Sequence, residues 1–149
     1  VIAIDANAGV LARLSVNARL SDLPQLHPVH TAVGEHEGRI DLAIRRDDLS
    51  IVSVEESAGG SIPMRPLAAI LAEAGVTRID ALKIDIEGYE DKALAPYLRQ
   101  AAGDAVPRRV VIERGGPDGG DYPGCAAEFA RLGLRLVGRT RANSLYGRD

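Results

Sequence analysis

The spacing of hydrophobic residues predicts alternating strands and helices. Short apolar runs, or apolar residues at every second position, are typical of β-strands, whereas spacings of three and four are typical of helices. By these criteria the predicted strands are residues 1–3, 26–33, 39–45, 50–54, 79–86, 109–113, 134–138 and 144–147. The predicted helices begin at Val10, Pro66 and Tyr89, with a short one that runs through Phe129.

Proline and glycine mark the boundaries of these elements. Pro24 ends the first helix, because proline cannot continue one. Pro66 suits the first turn of the second helix, and Gly75 suits the left-handed position just after its end. Residues 58–61 are rich in glycine, which predicts a flexible connection.

The order of these elements predicts an α/β fold. Strands that alternate with helices of about ten residues are typical of a mostly parallel sheet with helices on both faces. Two features indicate a mixed sheet: residues 39–54 form a hairpin-like insertion, and the last two strands follow each other without a helix. A chain of 149 residues has the usual size of one domain, so we expect residues 1–149 to form a single domain.

Residues 82–87 alternate apolar with charged side chains. On a strand the two kinds lie on opposite faces: Leu82, Ile84 and Ile86 against Lys83, Asp85 and Glu87. A central parallel strand is covered on both faces, so these charges would be costly unless they were paired or faced a cleft. One interpretation is a half-exposed edge strand on which Lys83 neutralises Asp85. The other is a site at the carboxyl end of the strand, where open α/β sheets bind ligands.

Two further carboxylates come at the ends of predicted strands. Asp5 follows the first strand, a position at which nucleotide-binding folds hold a ribose by its hydroxyls, although an aspartate there also commonly caps the following helix. Glu113 ends the strand at 109–113. Since the carboxyl ends of parallel strands meet at one edge of a sheet, these residues and Asp85 together indicate a cleft.

Composition narrows the classes of partner. The net charge is −3, and aromatic residues make up 3% of the chain, too few for a base-stacking platform, so we expect no nucleic-acid partner. No stretch approaches the ~20 apolar residues of a membrane helix, and we expect no membrane partner. Cys125 is the only cysteine, which fits a reducing compartment and predicts a cytoplasmic location.

The remaining segments are weaker candidates for chemistry. His27 and His30 lack partner ligands at suitable spacing, so we predict no metal. Cys125 lies in a predicted helix, where it is expected to be packed. The glycine- and proline-rich residues 115–124 form either a mobile loop over the cleft or a plain connection. The sequence contains no Gly-x-Ser-x-Gly elbow and no Gly-x-Gly-x-x-Gly or phosphate loop.

The strongest motif resembles that of a known family. Lys83-Ile84-Asp85-Ile86-Glu87-Gly88-Tyr89-Glu90 resembles the Lys-Ile-Asp-Val-Glu-Gly-x-Glu signature of FkbM-type S-adenosylmethionine-dependent methyltransferases. Ala32-Val33-Gly34-Glu35, followed by Gly38, is similar to the family's Ala-Val-Gly-Asp and a later glycine. Residues 110–113 look like its strand ending in Ile-Glu, and residues 133–146 like its closing hairpin.

The sequence departs from the family pattern in two places. Asp5-Ala6 stands where the family usually has Glu-Pro. The family's opening strand and glycine-rich turn, which cradle the methionine part of the cofactor, would precede Val1. The domain is therefore expected to be N-terminally incomplete, and the strands at residues 1–3 and 79–86 are each expected to lack the neighbour that lies between them in the family.

The resemblance implies a Rossmann-like methyltransferase sheet, mostly parallel with an antiparallel closing hairpin. It implies methyl transfer from S-adenosylmethionine to a hydroxyl oxygen of a small molecule or sugar. Asp5 would bind the cofactor ribose, the turn at Ala32 and Val33 the adenine, and Asp85 would also lie at the cofactor. Asp85 and Glu87 would be catalytic, one of them as the base. Two alternatives stay open: a nicotinamide-dependent oxidoreductase, since Asp5 would serve a dinucleotide ribose equally well, or a catalytically inactive domain kept for assembly.

Overall fold

The computed structural model describes residues 1–44, 52–56, 59–115 and 120–148. The chain divides into two compact units, Val1–Pro66 and Leu67–Asp149, and each is described by itself. Together the described residues form four α-helices and three sheets, a mixed α/β architecture. The single domain and the Rossmann-like arrangement of one sheet stay predictions. Among the described residues, no helix combines the length and the apolar character needed to cross a membrane.

The first unit contains one helix and two sheets. Its elements are β1 (Ile2–Asp5), α1 (Ala8–Leu20), β2 (His27–His30), β3 (Ala32–Gly34), β4 (Gly38–Ile44), β5 (Val52–Glu56) and β6 (Ile62–Pro66). Strands β1 and β2 form a parallel pair. The second sheet has the order β3-β6-β4-β5, in which only β3 and β6 run parallel.

Thr31 divides the predicted strand at residues 26–33 into two. The residues before it pair with β1, whereas those after it pair with β6 in the other sheet. Thr31 is buried, its Oγ1 donates a hydrogen bond to the carbonyl of Pro63 at 2.9 Å, and its backbone N donates to the carbonyl of Asp5 at 3.2 Å. The chain thus changes sheets at Thr31 without a turn sequence that would have revealed it.

The connection before β6 was predicted to be flexible, but its described residues 59–61 are held by hydrogen bonds. The Arg39 side chain donates to the carbonyls of Gly60 and Ser61, and Asp41 Oδ1 accepts hydrogen bonds from the N and Oγ of Ser61 at 2.9 Å. These bonds lower the pKa of Asp41. A Cβ at Gly60 would lie 2.6 Å from the carbonyl oxygen of Ile40, so only glycine fits there. Strand β6 was missed because the glycine-rich residues just before it were interpreted as a loop.

Pro66 was wrongly assigned to the first turn of a helix. It is the last residue of β6, opposite Gly34 of β3, and the second unit begins with α2 (Leu67–Glu73) at the next residue. A strand end tolerates proline, because the missing N–H costs no ladder bond where pairing stops. Gly75, after α2, has a φ of 66°, as its left-handed role predicted.

The second unit has a four-stranded sheet with the order β7-β8-β10-β9. Its further elements are β7 (Ala81–Ile84), α3 (Glu90–Gln100), β8 (Arg109–Glu113), α4 (Pro123–Arg131), β9 (Arg135–Arg139) and β10 (Asn143–Gly147). Strands β7 and β8 are parallel, while β10 is antiparallel to both of its neighbours. The predicted antiparallel closing hairpin is therefore present.

One face of this sheet carries the core of the second unit. The side chains on that face alternate along the strands with those of the other face, and they are buried: Ile84, Val110, Ile112, Ser144 and Tyr146. Phe129 of α4 lies against Tyr146, with 4.5 Å between the ring centroids. On the opposite face Lys83 is exposed. The predicted separation of apolar and charged residues on β7 is thus observed from Leu82 to Asp85.

Candidate functional site

Asp5 lies at the carboxyl end of the parallel pair β1–β2. Its Oδ1 accepts a hydrogen bond from the backbone N of Asn7 at 2.7 Å. The cap of α1 is Asn7, whose side-chain oxygen accepts from the N of Gly9 at 2.9 Å and from the N of Val10 at 3.3 Å. Asp5 therefore does not cap the helix. Within the described residues its second carboxylate oxygen accepts no hydrogen bond, so it can accept one from a ligand.

Ala32 and Val33 lie in strand β3 rather than in a turn. They pair with Met64 and Arg65 of β6, and both are half-buried. Ala32 comes directly after Thr31, whose backbone N donates to the carbonyl of Asp5. The fold of the first unit therefore brings Ala32 close to Asp5, as the proposed cofactor site needs, although the backbone there is extended.

The signature residues after β7 form a tight turn rather than a continued strand. Strand β7 ends at Ile84, two residues earlier than predicted. Glu87 has a φ of 55° and Gly88 a φ of 96°. A left-handed glutamate is uncommon and is held only when its surroundings enforce it, which is frequent at functional sites. Glu87 is exposed, so its side chain is accessible at the carboxyl end of the sheet.

Glu90 enforces this turn. Its carboxylate accepts hydrogen bonds from the backbone N of Ile86 at 2.9 Å and of Gly88 at 3.0 Å, and the residue is 0% exposed. The sequence assigned Glu90 no role beyond its place in the signature. In the fold it satisfies two backbone donors on either side of Glu87. It is thus a positioning residue for the predicted catalytic turn.

Asp85 is paired with Lys83 on the edge strand of its sheet. Lys83 Nζ lies 2.8 Å from Asp85 Oδ2, and the two side chains are 60% and 43% exposed. This geometry matches the structural interpretation of the charged face, in which Lys83 neutralises Asp85. It also leaves a carboxylate accessible at a strand end. The catalytic assignment of Asp85 and Glu87 stays a prediction.

Glu113 lies beside Asp85. Ile84 and Ile112 are opposite each other in the parallel register, so the next residues, Asp85 and Glu113, end neighbouring strands. Burial raises the pKa of Glu113, and the negative charges of Asp85 and Glu87 raise it further. We refer to Asp85, Glu87 and Glu113 as the carboxylate cluster. The second unit therefore brings together the strand-end acids that the sequence indicated for it.

Removing the charge of Glu113 is expected to stabilise the protein at neutral pH. The folded state holds a proton on Glu113 more tightly than the unfolded state does, so stability falls as pH rises from the ordinary glutamate pKa through the raised one. Thermal unfolding should give Glu113→Gln a higher Tm than wild type at pH 7 to 8, and the difference should vanish below about pH 4. Glu35→Gln, an exposed position, is the control. An equal or lower Tm for Glu113→Gln at pH 7 would show that the charges of Asp85 and Glu87 do not destabilise an ionised Glu113.

Tyr122 places a buried hydroxyl next to the carboxylate cluster. The residue is 5% exposed, and within the described part of the chain its hydroxyl makes no hydrogen bond. A Cβ at Gly115 would lie 2.8 Å from Tyr122 Oη and 4.0 Å from Glu113 Oε2, so both groups flank Gly115. Burial raises the pKa of Tyr122, and so do the closeness of its hydroxyl to the Glu90 side chain and the charges of Glu90 and Glu113. The hydroxyl thus stays protonated.

Asp91 anchors α4 to the start of α3. Its carboxylate accepts from the backbone N of Gly124 at 3.0 Å and of Cys125 at 2.7 Å, in the first turn of α4. Cys125 is fully buried, and its Sγ donates to the carbonyl of Glu90 at 3.4 Å. Burial raises the pKa of the Cys125 thiol, so it is packed and unreactive, as expected.

The weaker candidates do not assemble a site. Nε2 of His30 donates to the carbonyl of Ala6 at 2.9 Å, which ties β2 to the start of α1. In the described ranges, no group of histidine, cysteine and acidic residues could hold a metal ion. Residues 116–119 of the glycine-rich segment lie outside the described residues.

The sequence missed Glu90 and Tyr122 as parts of the site. Glu90 belongs to the signature, but no local pattern indicated that its carboxylate accepts from the backbone N–H groups of Ile86 and Gly88. Tyr122 follows a glycine-rich segment and comes directly before Pro123, which opens α4. A large aromatic residue at the end of such a segment was the available signal, since it must bury its ring against something.

Comparison with known proteins identifies the family. The family model described as methyltransferase FkbM domain matches residues 1–133. This range includes the signature at residues 83–90, whereas β9 and β10 lie beyond it. Comparisons with curated proteins and with solved structures gave no match. Because the match covers most of the chain, the resemblance is confirmed, and the protein belongs to the methyltransferase FkbM domain family.

Proposed function

We propose that the protein transfers a methyl group from S-adenosylmethionine to a hydroxyl oxygen of a small molecule or sugar. The observation that carries the proposal is that Asp85, a residue of the family signature, lies beside Glu113 at the carboxyl ends of two parallel strands. This is the edge at which open α/β sheets bind their ligands. Membership in a methyltransferase family favours this function over the oxidoreductase alternative.

The first unit offers groups suited to the nucleoside part of the cofactor. The Asp5 carboxylate has an oxygen that can accept a hydrogen bond from a ribose hydroxyl, and its other oxygen is fixed by the N of Asn7. Ala32, which follows Thr31 at the start of β3, presents a small half-buried side chain nearby, as a flat adenine ring requires. These residues fit the cofactor and would hold it by its ribose and base.

The second unit supplies the groups for chemistry on the acceptor. S-adenosylmethionine, when bound, provides a methyl group on a good leaving group, so the protein has mainly to align the acceptor hydroxyl and remove its proton. Asp85 is an exposed carboxylate just before the left-handed turn, and Glu87 is an exposed carboxylate within it; either can take that proton. Glu113 lies next to Asp85 and can share a proton with it. Glu90 fixes the turn, so the carboxylates are oriented before the acceptor arrives.

A binding and transfer experiment tests the proposal. Calorimetry on the full-length protein should detect S-adenosylmethionine, and radiolabelled methyl should pass from it to a hydroxyl compound in a panel of sugars and small alcohols. NADH, as the competing cofactor, should not bind. Binding of NADH but not of S-adenosylmethionine would favour the oxidoreductase instead, and binding of neither would favour a domain kept for assembly.

Two substitutions in the first unit separate cofactor binding from stability. Asp5→Ala should weaken S-adenosylmethionine binding by about 1.5–3 kcal/mol, the range for charge-assisted hydrogen bonds. Its Tm should fall no further than that of the control below, although the N of Asn7 loses its acceptor. Asn7→Ala is the matched control: it should lower stability by about 1 kcal/mol through loss of the helix cap, with unchanged affinity. Calorimetry and thermal unfolding measure the two quantities. Normal affinity of the Asp5 variant together with a lower Tm would assign Asp5 a structural role.

A further inference from the structure

Arginines gather at the amino end of the sheet in the second unit, the end at which β8 and β9 begin. Arg109 and Arg135 are both opposite Gly147 of β10, one on each side of it, so their side chains share one face of the sheet. Their Cα atoms are roughly 10 Å apart, which is two strand spacings. Glu113 lies at the other end of β8, roughly 13 Å away along the strand, so this end is separate from the carboxylate cluster.

Gly147 makes room for the Arg109 side chain. A Cβ at this position would lie 3.1 Å from both Cδ and Nη1 of Arg109, so the arginine lies across the glycine in the direction of β9. Its Nη1 donates to the carbonyl of Arg108 at 2.9 Å and to that of Arg148. Among the described residues nothing accepts from its Nε and Nη2. These two atoms form the edge with which a guanidinium binds two oxygens of one anion.

The guanidinium groups here are held by backbone carbonyls rather than by carboxylates. Arg148 Nη2 donates to the carbonyls of Gly103 at 2.9 Å and of Val106 at 2.8 Å, and its Nε is buried without a partner among the described residues. Arg135 is exposed, and its side chain makes no ion pair with any described residue. Carbonyls fix these side chains in place but leave their positive charge uncompensated.

Two acids close to this end interact with another arginine. Asp80 binds Arg78 at 2.6 Å, and this hydrogen bond, together with the charges of Asp80 and Asp104, raises the pKa of Arg78. Asp80 offers Arg109 only its backbone carbonyl, which accepts from the Arg109 N at 3.1 Å. Like charges that lie close together repel one another, and a bound anion would relieve that repulsion.

We propose that Arg109 and Arg135 form a binding site for a phosphate group, with the charge of Arg148 in support. Nε and Nη2 of Arg109 donate to two phosphate oxygens, and Arg135 reaches a third from the other side of Gly147. A phosphate suits this pair better than a carboxylate, because it has a third oxygen and a charge of about −1.5 to −2 at neutral pH. S-adenosylmethionine carries no phosphate, so the ligand is not the proposed methyl donor.

Phosphorus NMR and calorimetry test the site without any methyl donor. The full-length protein, at low ionic strength, is titrated with inorganic phosphate, with glycerol 3-phosphate and with acetate. We expect both phosphates to bind and acetate to bind at least about tenfold more weakly, because it lacks the third oxygen. No binding of inorganic phosphate, or equal binding of acetate, would overturn the proposal.

Vesicles identify the source of the phosphate. The protein is sedimented with vesicles of phosphatidylcholine, with and without phosphatidic acid. If it sediments only with phosphatidic acid and inorganic phosphate competes, the site takes the phosphate of a lipid headgroup. If it stays in solution, the site takes a soluble phosphate.

Two variants locate the binding. Arg135→Gln changes an exposed side chain without an ion pair among the described residues, so it should fold normally, yet it should weaken phosphate binding at least about tenfold. Arg109→Gln should weaken binding at least as much. Arg141→Gln is the matched control: it removes the same charge from an exposed position between β9 and β10, at the opposite end of the sheet, and should bind phosphate as the wild type does.

Two results would contradict the site. Equal weakening by all three variants would show that only the net charge of the protein matters. Unchanged binding by Arg135→Gln and by a folded Arg109→Gln would place the phosphate elsewhere. Since no experiment here includes a methyl donor, either result leaves the proposed function unaffected.

Discussion

The Asp85→Asn and Glu87→Gln variants of the full-length protein are expected to bind S-adenosylmethionine normally. The variant that lacks the base should turn over roughly 10²–10⁴ times more slowly than the wild type, the usual contribution of a positioned general base. An amide has nearly the size of the carboxylate but cannot take the proton of the acceptor hydroxyl. Both side chains are exposed, so neither substitution should disturb the core. Transfer of radiolabelled methyl measures turnover, and calorimetry measures cofactor affinity.

The control for this pair is Asp80→Asn. Asp80 is an exposed carboxylate just before β7, bonded to Arg78 at 2.6 Å and outside the carboxylate cluster. The turnover of Asp80→Asn should equal that of the wild type. If Asp85→Asn and Glu87→Gln both retain full turnover, the Lys83–Asp85 pair is structural and the base must be sought elsewhere, with Glu113 as the next residue to test.

Glu90→Ala is expected to lower the free energy of unfolding by about 3 kcal/mol, because two part-buried backbone N–H groups lose their carboxylate acceptor. In a chain of this size that loss lowers the Tm by about 6–12 °C. The stability of Glu90→Gln should lie between those of Glu90→Ala and the wild type. The amide oxygen can accept from one N–H, whereas the amide NH₂ faces the other. Thermal and denaturant unfolding measure both.

The control for Glu90 is Asp80→Ala. It removes an exposed ion pair with Arg78, and such pairs contribute little, so the Tm should hardly move. If Glu90→Ala unfolds at the same temperature as this control, the turn at Glu87 is not held by Glu90. In that case the left-handed φ of Glu87 would need another cause.

The positions of the strand-end acids followed from the sequence alone. Alternation of side chains is a local property of an extended backbone, so it identified β8 at its observed bounds and separated Lys83 and Asp85 from Leu82 and Ile84. The closing strands were predicted for the same reason. The family signature was a run of adjacent residues, and it too could be recognised without a structure.

Contacts between distant segments were decided by the tertiary structure. Thr31 changes sheets because its hydroxyl finds Pro63, 32 residues away, and no local periodicity records that partner. The Asp91 carboxylate accepts a hydrogen bond from the N of Gly124, 33 residues further along the chain, in the first turn of another helix. The burial of Tyr122 beside Glu113 likewise depends on how a loop packs. Side-chain patterns report which face of an element is apolar, whereas packing alone decides which polar groups meet across the chain and which are left to bind a ligand.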